Sequence, residues 1–479
     1  MSESTARLEQ RIAEEQQAFA RPLGSLVKRA AVTCAPEVTV TQAAARMRSE
    51  EVGSLVVVDA ASRPLGIVTE HDIVSAVAES RSAHPVSEVM TREPFALPAH
   101  ALAYEAAVAM IAQRIRHVLV TEDGRLAGVV SERDLFSLQR LGLGELAMEI
   151  RLAAELEVLA SLAAEVRSLT RALVEQGVGT EQLTLFVSVL NDRISQRAIE
   201  IVRKRHDLER ISWCWLAFGS EGRFEQTFSS DQDNGLLFAA HEGGAPAEAR
   251  RRLLPFAREV NEALDACGYP LCKGNVMASN PELCLSLDEW KAKMARWIEV
   301  TVPKALLDAA ICFDFRALHG DASLSSTLRQ WVSERIRGRG AFLQHLAAAA
   351  LEGRPALGRL GGFATEEGTI NLKLHGAKVF VDAARVYALA HGLQQTNTAA
   401  RLRAVARHIG LREADASAAT HAFYFIQGLR LRIQARSPQA GMENRIAPES
   451  LHRLERATLK EALRLARELQ SRLALDYQL

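Results

Sequence analysis

The chain repeats one pattern near its start. Residues Gly53 to Asp72 (GSLVVVDAASRPLGIVTEHD) lie over Ile115 to Asp134 (IRHVLVTEDGRLAGVVSERD) without a gap, which sets Val56 on Val118, Gly66 on Gly128 and Asp72 on Asp134. The same offset sets VTQAAARM against ALAYEAAVAM upstream. Each copy is therefore expected to run helix, apolar strand, polar turn, apolar strand, helix. One copy leaves a sheet face uncovered, and two copies packed face to face cover it. The repeat restricts this part of the chain to a paired α/β module.

In both copies a strand runs into a hydroxyl residue with an acid three positions on: Thr69 and Asp72 in GIVTEHD, Ser131 and Asp134 in GVVSERD. As plain helix caps these residues need no ligand. They also suit a nucleotide, since Asp accepts from ribose hydroxyls while a hydroxyl and helix-terminal N–H groups meet phosphates. Through these residues the segment resembles a tandem CBS pair over 23–141, with copies at 23–80 and 85–141. The resemblance implies an AMP- or ATP-type regulatory ligand in at least one cleft, held by Thr69, Asp72, Ser131 and Asp134.

Beyond the repeat the sequence turns helical over 144–207. Leu152, Leu156, Leu159, Ala163, Val166, Thr170 and Leu173 recur at four-and-three spacing, a seam suited to packing inside the next domain or to dimerisation. Then ISWCWLAF, Ile211 to Phe218, reads as a buried strand that ends at Gly219 and Ser220. A turn there can present N–H groups and a hydroxyl to phosphate oxygens. Next comes SDQDNGLLF, read as a second strand in which Asp231 and Asp233 share one face and Gln232 and Asn234 the other. Two adjacent carboxylates are unfavourable without a cation between them, and hard oxygen ligands suit Mg²⁺. A third acid is expected from ICFDFRAL, read as a strand that aims Asp314 at the metal.

The string Gly-Ser-x-Gly-Arg-x-Glu-Gln-Thr-x-x-Ser-Asp-Gln-Asp-Asn resembles nucleotidyltransferases of the DNA polymerase beta superfamily. Within it, the string is similar to the group found downstream of CBS domains and related to the nitrogen-regulatory protein uridylyltransferase. The resemblance implies catalytic, metal-holding roles for Asp231, Asp233 and Asp314, with Mg²⁺ or Mn²⁺ as cofactor and a nucleoside triphosphate as substrate. It implies phosphate contacts from Gly219, Ser220 and Arg223, with Glu225 and Gln226 supporting the motif. Lys273, Gly274 and Asn275 replace an expected Pro-Gly-Gly-like run, and Leu283 an expected Trp, so the departures fall on the acceptor side. The helical segment from Gly368 onward resembles the family's C-terminal substrate-binding domain, with Asn371 in place of an Asp. Lys273, Lys373 and Arg385 are the expected substrate-side cations, toward an anionic group.

The fold expected is multidomain, α/β plus α: an N-terminal helical segment at 1–22, the CBS pair, the helical linker at 144–207, a polymerase-beta-like core at 208–322 and a C-terminal helical bundle at 323–479. Lys plus Arg equal Asp plus Glu at 58 each, so no bulk basic field draws nucleic acid. The six cysteines form no CxxC and suit buried reduced thiols. MSESTARLEQRIAEEQQ is polar and acidic, unlike a signal peptide, and no apolar run spans a bilayer, which points to the cytoplasm and away from membranes. Two functions fit. One is a transferase that moves a nucleoside monophosphate to an acceptor hydroxyl, on a regulatory protein or a small molecule, under CBS control. The other is a non-catalytic nucleotide sensor in signal transduction. A homodimer is expected for either.

Overall fold

The structure is a computed structural model and describes residues 22–27, 29–60, 63–113, 115, 117–122, 125–131, 143–175, 177–239, 246–299, 310–358, 361–436 and 441–479. It divides into two compact units, residues 1–147 and 148–479.

In the first unit Thr33–Cys34 (β1), Ser54–Val58 (β2), Pro64–Thr69 (β3) and Thr91–Arg92 (β4) form one sheet in chain order, with β1 parallel to β2 and the other pairs antiparallel. Ala96–Pro98 (β5), His117–Glu122 (β6) and Arg125–Ser131 (β7) repeat the same senses in a second sheet. Helices Val40–Ser49 (α1) and Glu70–Ala78 (α2) belong to the first copy, and Ala103–Gln113 (α3) to the second. Two helices start at reciprocal caps, Thr39 with Gln42 and Thr69 with Asp72.

The repeat is present, but its ungapped overlay slips by one residue. Ser54 pairs with Thr69 and Val56 with Ile67, whereas His117 pairs with Ser131 and Leu119 with Val129. The second hairpin is one residue shorter, so the counterpart of Val56 is Leu119, not Val118. Val56, Ile67 and Leu119 accordingly meet in one buried cluster with Val129 packed against it. Met47 and Met110 become equivalents, and both are buried.

In the second unit Leu156–Glu175 (α4) packs on Thr180–Arg203 (α5). Leu159, Ala163, Val166 and Thr170 of the expected seam are buried, while Leu152 is 65% exposed, because the helix is broken between Leu152 and Leu156. Trp213–Ala217 (β8), Asn234–Phe238 (β9), Cys284–Ser286 (β10) and Arg316–Gly320 (β11) form a sheet of order β10-β9-β8-β11. Strand β8 is antiparallel to both β9 and β11, and β10 is parallel to β9. A one-turn helix, Gly219–Gly222 (α6), follows β8.

Alternation along β8 feeds two layers. Trp213 and Trp215 meet Phe256 of Pro246–Ala266 (α7) at ring distances of 5.1 and 6.2 Å. Cys214 and Leu216 join Trp290 and Met294 of Leu287–Glu299 (α8). The latter core continues without a break through Ala322–Ile336 (α9), Gly340–Glu352 (α10), Lys378–Ala390 (α11), Thr398–Val405 (α12), Glu413–Ala435 (α13) and Arg453–Asp476 (α14). Sheet and helices are thus one packed body. Two short strands, Ile370–Asn371 (β12) and Arg445–Ile446 (β13), pair beside it, with Ile370 in the core.

Two expectations need correction. Strand β9 begins at Asn234, so Asp231 and Asp233 lie in the segment leading into it. Asp314 lies in a 3₁₀ turn, Ala310–Asp314, not on a strand.

Candidate functional site

The chain leaves β8 through a bond from Phe218 N to Asp233 O of 2.8 Å, which ties the glycine turn to the acidic segment. Gly219 has φ +54°, and a Cβ there would lie 2.7 Å from Asp233 Oδ2. Glycine is required twice over, for its backbone and for the approach of the carboxylate. The first helical bond of α6 runs from Gly222 N to Phe218 O, so the N–H groups of Gly219, Ser220 and Glu221 precede it.

The expected two-sided alternation holds although the segment is not strand. Gln232 is buried and donates to Asn261 O and Tyr269 O, at 2.9 and 2.8 Å. Asn234 Oδ1 accepts from Ala278 N at 2.8 Å and from Asn261. These amides lock the segment and leave Asp231 exposed and Asp233 half-buried. Burial pushes the Asp233 carboxyl up to about 6, with the Asp231 charge adding to it, against a Cys272 hydrogen bond and the Lys373 and Arg223 charges. The Cys272 thiol donates to Asp233 Oδ1 at 3.5 Å.

Asp314 does not join these acids. It is fully buried, and both its oxygens are taken by guanidinium groups: Oδ1 by Arg385 Nε (3.0 Å) and Arg401 Nη1 (2.6 Å), Oδ2 by Arg385 Nη2 (2.6 Å) and Arg223 Nη1 (2.7 Å). Burial opposes its ionisation, yet the charges of Arg385, Arg401 and Arg223 hold it well below the usual carboxylate range. A cation would have to displace three guanidinium groups to reach it. The expectation of Asp314 as a metal ligand is therefore corrected: it is the hub of a buried ion network. Arg385 is corrected with it, because it is buried and its Nε, Nη2 and Nη1 each donate to Asp314 or Asp382, the last at 2.7 Å, so it neutralises interior carboxylates instead of facing a substrate.

Arg223 also donates to Glu225 Oε2 at 2.8 Å. Glu225 in turn accepts from Thr398 N at 2.6 Å, at the first turn of α12. The motif's Arg-x-Glu thus clamps the helical region to the glycine turn. Gln226 N donates to Ser188 Oγ at 3.3 Å, which holds the same loop on α5. Lys273 and Lys373 are exposed, and Lys373 stands near enough to Asp233 to lower its pKa. Sequence reasoning missed Arg401, Thr398, Cys272, the buried acid Glu221 and Asn397, whose amide donates to Arg223 O at 3.1 Å. Burial pushes Glu221 up to about 8, with Asp192 and Asp233 adding to the shift against Arg316.

In the first unit a cavity of about 1370 Å³ is lined by Thr69, Asp72, Ser131, Ile67 and Val129, among others. Asp72 Oδ2 accepts from Thr69 N (2.8 Å) and Thr69 Oγ1 (2.7 Å), so the capping role is real. Its other oxygen accepts no hydrogen bond from a described residue. Asp134 lies outside the described residues.

The CBS domain family matches residues 23–79 and 86–140. The family described as "Putative nucleotidyltransferase DUF294" matches 164–304, and its companion, "Putative nucleotidyltransferase substrate binding domain", matches 340–477. It is a CBS-domain protein of the DUF294 family. Curated relatives include an uncharacterized 17.7 kDa protein of Acidianus ambivalens, 37% identical over 21% of this chain and 62% of its own length, and an Arabidopsis thaliana CBS domain-containing protein, 32% identical over 21% of this chain and 19% of its own. The DUF294 protein thus spans less than two thirds of these relatives. Among solved structures it is similar to a CBS-domain protein of Agrobacterium tumefaciens (33% identity, 24% of this chain, 98% of that one, TM-score 0.24). It is also similar to a Pyrobaculum aerophilum CBS protein solved with AMP (30%, 27%, 99%, TM-score 0.25). Among the described residues no helix is long and apolar enough to cross a membrane.

Proposed function

We propose that the second unit is a nucleotidyltransferase that moves a nucleoside monophosphate from a nucleoside triphosphate to an acceptor hydroxyl. The carrying observation is the approach of Asp233 to Gly219, which sets a carboxylate and a phosphate-receiving turn side by side. The family match supports the same reading.

Among the described residues no three metal-ligating side chains cluster. Asp231 and Asp233 nevertheless fit Mg²⁺, which commonly takes one or two carboxylates and completes its shell with substrate phosphates and water. Burial, with the Asp231 charge adding to it, disfavours an ionised Asp233, and a cation beside the two acids would offset both effects. Bound Mg²⁺ would offset negative charge on the triphosphate. Asp231 and Asp233 would hold that ion. Ser220 and the leading N–H groups of α6 bind phosphate oxygens, while Arg223 braces the turn from its Asp314 and Glu225 bonds. The acceptor hydroxyl gives up its proton to solvent as its oxygen bonds to the α-phosphorus, the bond from that phosphorus to the bridging oxygen breaks, and pyrophosphate leaves with its electron pair.

Transfer of α-labelled nucleotide to cell-extract acceptors, compared between wild type and Asp231→Ala/Asp233→Ala, tests the reading. Label dependent on both acids supports it. Absence of label with every nucleotide, in folded protein that binds Mg-nucleotide, favours the nucleotide sensor.

For the CBS pair we propose an adenosine nucleotide in the cavity at Thr69 and Asp72, regulating the second unit. Ligand at a hundred times its Kd stabilises the unit that binds it by about 2.7 kcal/mol. AMP should therefore raise the first unit's melting point in wild type and not in Asp72→Ala.

A further inference from the structure

Interior guanidinium groups of the second unit mostly end on carboxylates, as Arg223, Arg385 and Arg401 do on Asp314 and Arg316 on Asp192. Arg329 instead lies over the Phe315 ring at 4.1 Å. Arg430, on α13, has neither solution. It is 7% exposed, its Nε donates to Asn444 Oδ1 at 2.8 Å, and its Nη1 donates to Gln427 Oε1. Both partners are neutral amides, and no described carboxylate forms an ion pair with it. Its Nη2 has no acceptor among the described residues. Burial, then the charge of Arg223, pushes the guanidinium down to about 10 against the pull of Glu225. A buried cation held only by amides is costly unless an anion joins it.

Arg223 stands near enough for its charge to act on Arg430, and a second cation, Lys373, acts like Arg223 on Asp233. Arg223 donates through Nε and Nη1, and its Nη2 has no acceptor among the described residues. Lys373 is exposed and makes no ion pair with a described carboxylate, yet its charge reaches Asp233. Leu372 N, one residue before Lys373, donates to Asn444 O at 2.8 Å, so one asparagine bonds both the Arg430 guanidinium and the backbone that leads into Lys373.

We propose that Arg430, with the open edge of Arg223 and with Lys373, forms a subsite for the phosphate or diphosphate group of a substrate. Planar guanidinium edges suit phosphoryl oxygens, and two such edges with an ammonium match a multiply charged anion. The subsite rests on the proposed transferase reading for its place in a reaction, where it would hold either the β,γ end of the triphosphate or a phosphate of the acceptor.

The probe is inorganic pyrophosphate, added to the full chain without Mg²⁺, with binding read as the rise in the melting midpoint of tryptophan fluorescence and by calorimetry. All five tryptophans, Trp213, Trp215, Trp290, Trp297 and Trp331, lie in the second unit, so the fluorescence ignores the CBS pair. Arg430→Gln should weaken pyrophosphate about tenfold or more, and Arg430→Lys should recover part of the loss. Without ligand, Arg430→Gln should melt at or above the wild-type temperature, because it removes an unpaired buried charge. A lower midpoint with an unchanged pyrophosphate response would make Arg430 a structural prop and overturn the subsite, as would equal affinity in wild type and Arg430→Gln. Displacement of pyrophosphate by a non-hydrolysable nucleoside triphosphate assigns the subsite to the triphosphate tail, and joint binding assigns it to the acceptor. A protein that binds pyrophosphate through Arg430 but never transfers nucleotide would refute the transferase reading and leave the subsite standing.

Discussion

Asp314→Asn tests the reassignment of that acid from metal ligand to buried hub. The substitution keeps the size of the side chain and removes the charge that faces Arg223, Arg385 and Arg401. Breaking a single buried ion pair by removing one partner costs about 3–5 kcal/mol, and here one carboxylate serves three guanidinium groups, so the loss should reach that range. With a urea slope of about 3 kcal/mol/M, the unfolding midpoint followed by tryptophan fluorescence should fall by about 1–1.7 M. The effect also has a pH signature. A carboxyl held below its unfolded value of about 4 stabilises fully above that value, and the stabilisation disappears as pH falls through the folded value. Wild type and Asp314→Asn should therefore differ by a constant amount between about pH 5 and 8 and converge only in strong acid. A midpoint shift under about 0.3 M, on the same slope, would refute the hub. If that stable variant also lost Mg²⁺-dependent nucleotide binding, Asp314 would return to the metal.

Gly219→Ala should fold but transfer nucleotide no better than Asp233→Ala, since the new Cβ meets the Asp233 carboxylate and a left-handed backbone costs an L-residue about 1–2 kcal/mol; label transfer reads the outcome, and wild-type activity would show that the carboxylate need not sit there. Glu221, with its carboxyl pushed up to about 8, keeps in the folded state a proton that the unfolded chain has lost, so stability declines as pH rises from about 4 toward 8. Glu221→Gln should accordingly raise the urea midpoint over wild type at pH 9 and change it little near pH 4. An equal difference at both pH values would mean that Glu221 is ionised in the fold.

The repeat was legible in the sequence because its apolar runs and terminal Thr69-x-x-Asp72 and Ser131-x-x-Asp134 patterns recur. Its register was not. VVV and VLV runs remain apolar when shifted by one, and the missing residue falls in a polar hairpin turn that constrains nothing. Period-2 reasoning placed Asp231 and Asp233 opposite Gln232 and Asn234 correctly, because the buried amides enforce that alternation even before the strand begins. The same reasoning misread ICFDFRAL. Its first half is a 3₁₀ turn that buries Cys312, Phe313 and Asp314 together and the strand begins only at Arg316, and what decides the fate of Asp314 lies 71, 87 and 91 residues away at Arg385, Arg401 and Arg223. No local pattern carries that information.

Those separations also bear on how the second unit works. Asp314 and Arg316 fall between the two family matches, which end at 304 and resume at 340, yet the hub joins Arg223 of the glycine-turn motif to Arg385 and Arg401 of the helical region. Glu225 crosses the same boundary to the N-terminus of α12, and one hydrophobic core runs from β8 to α14. A chain cut between the two matches would leave Arg223 without the carboxylate that orients it, Glu225 without its helix, and the sheet's apolar face in water. The helical region is therefore part of what shapes the phosphate turn, and a ligand that moves α11 or α12 acts on Arg223 through bonds already in place.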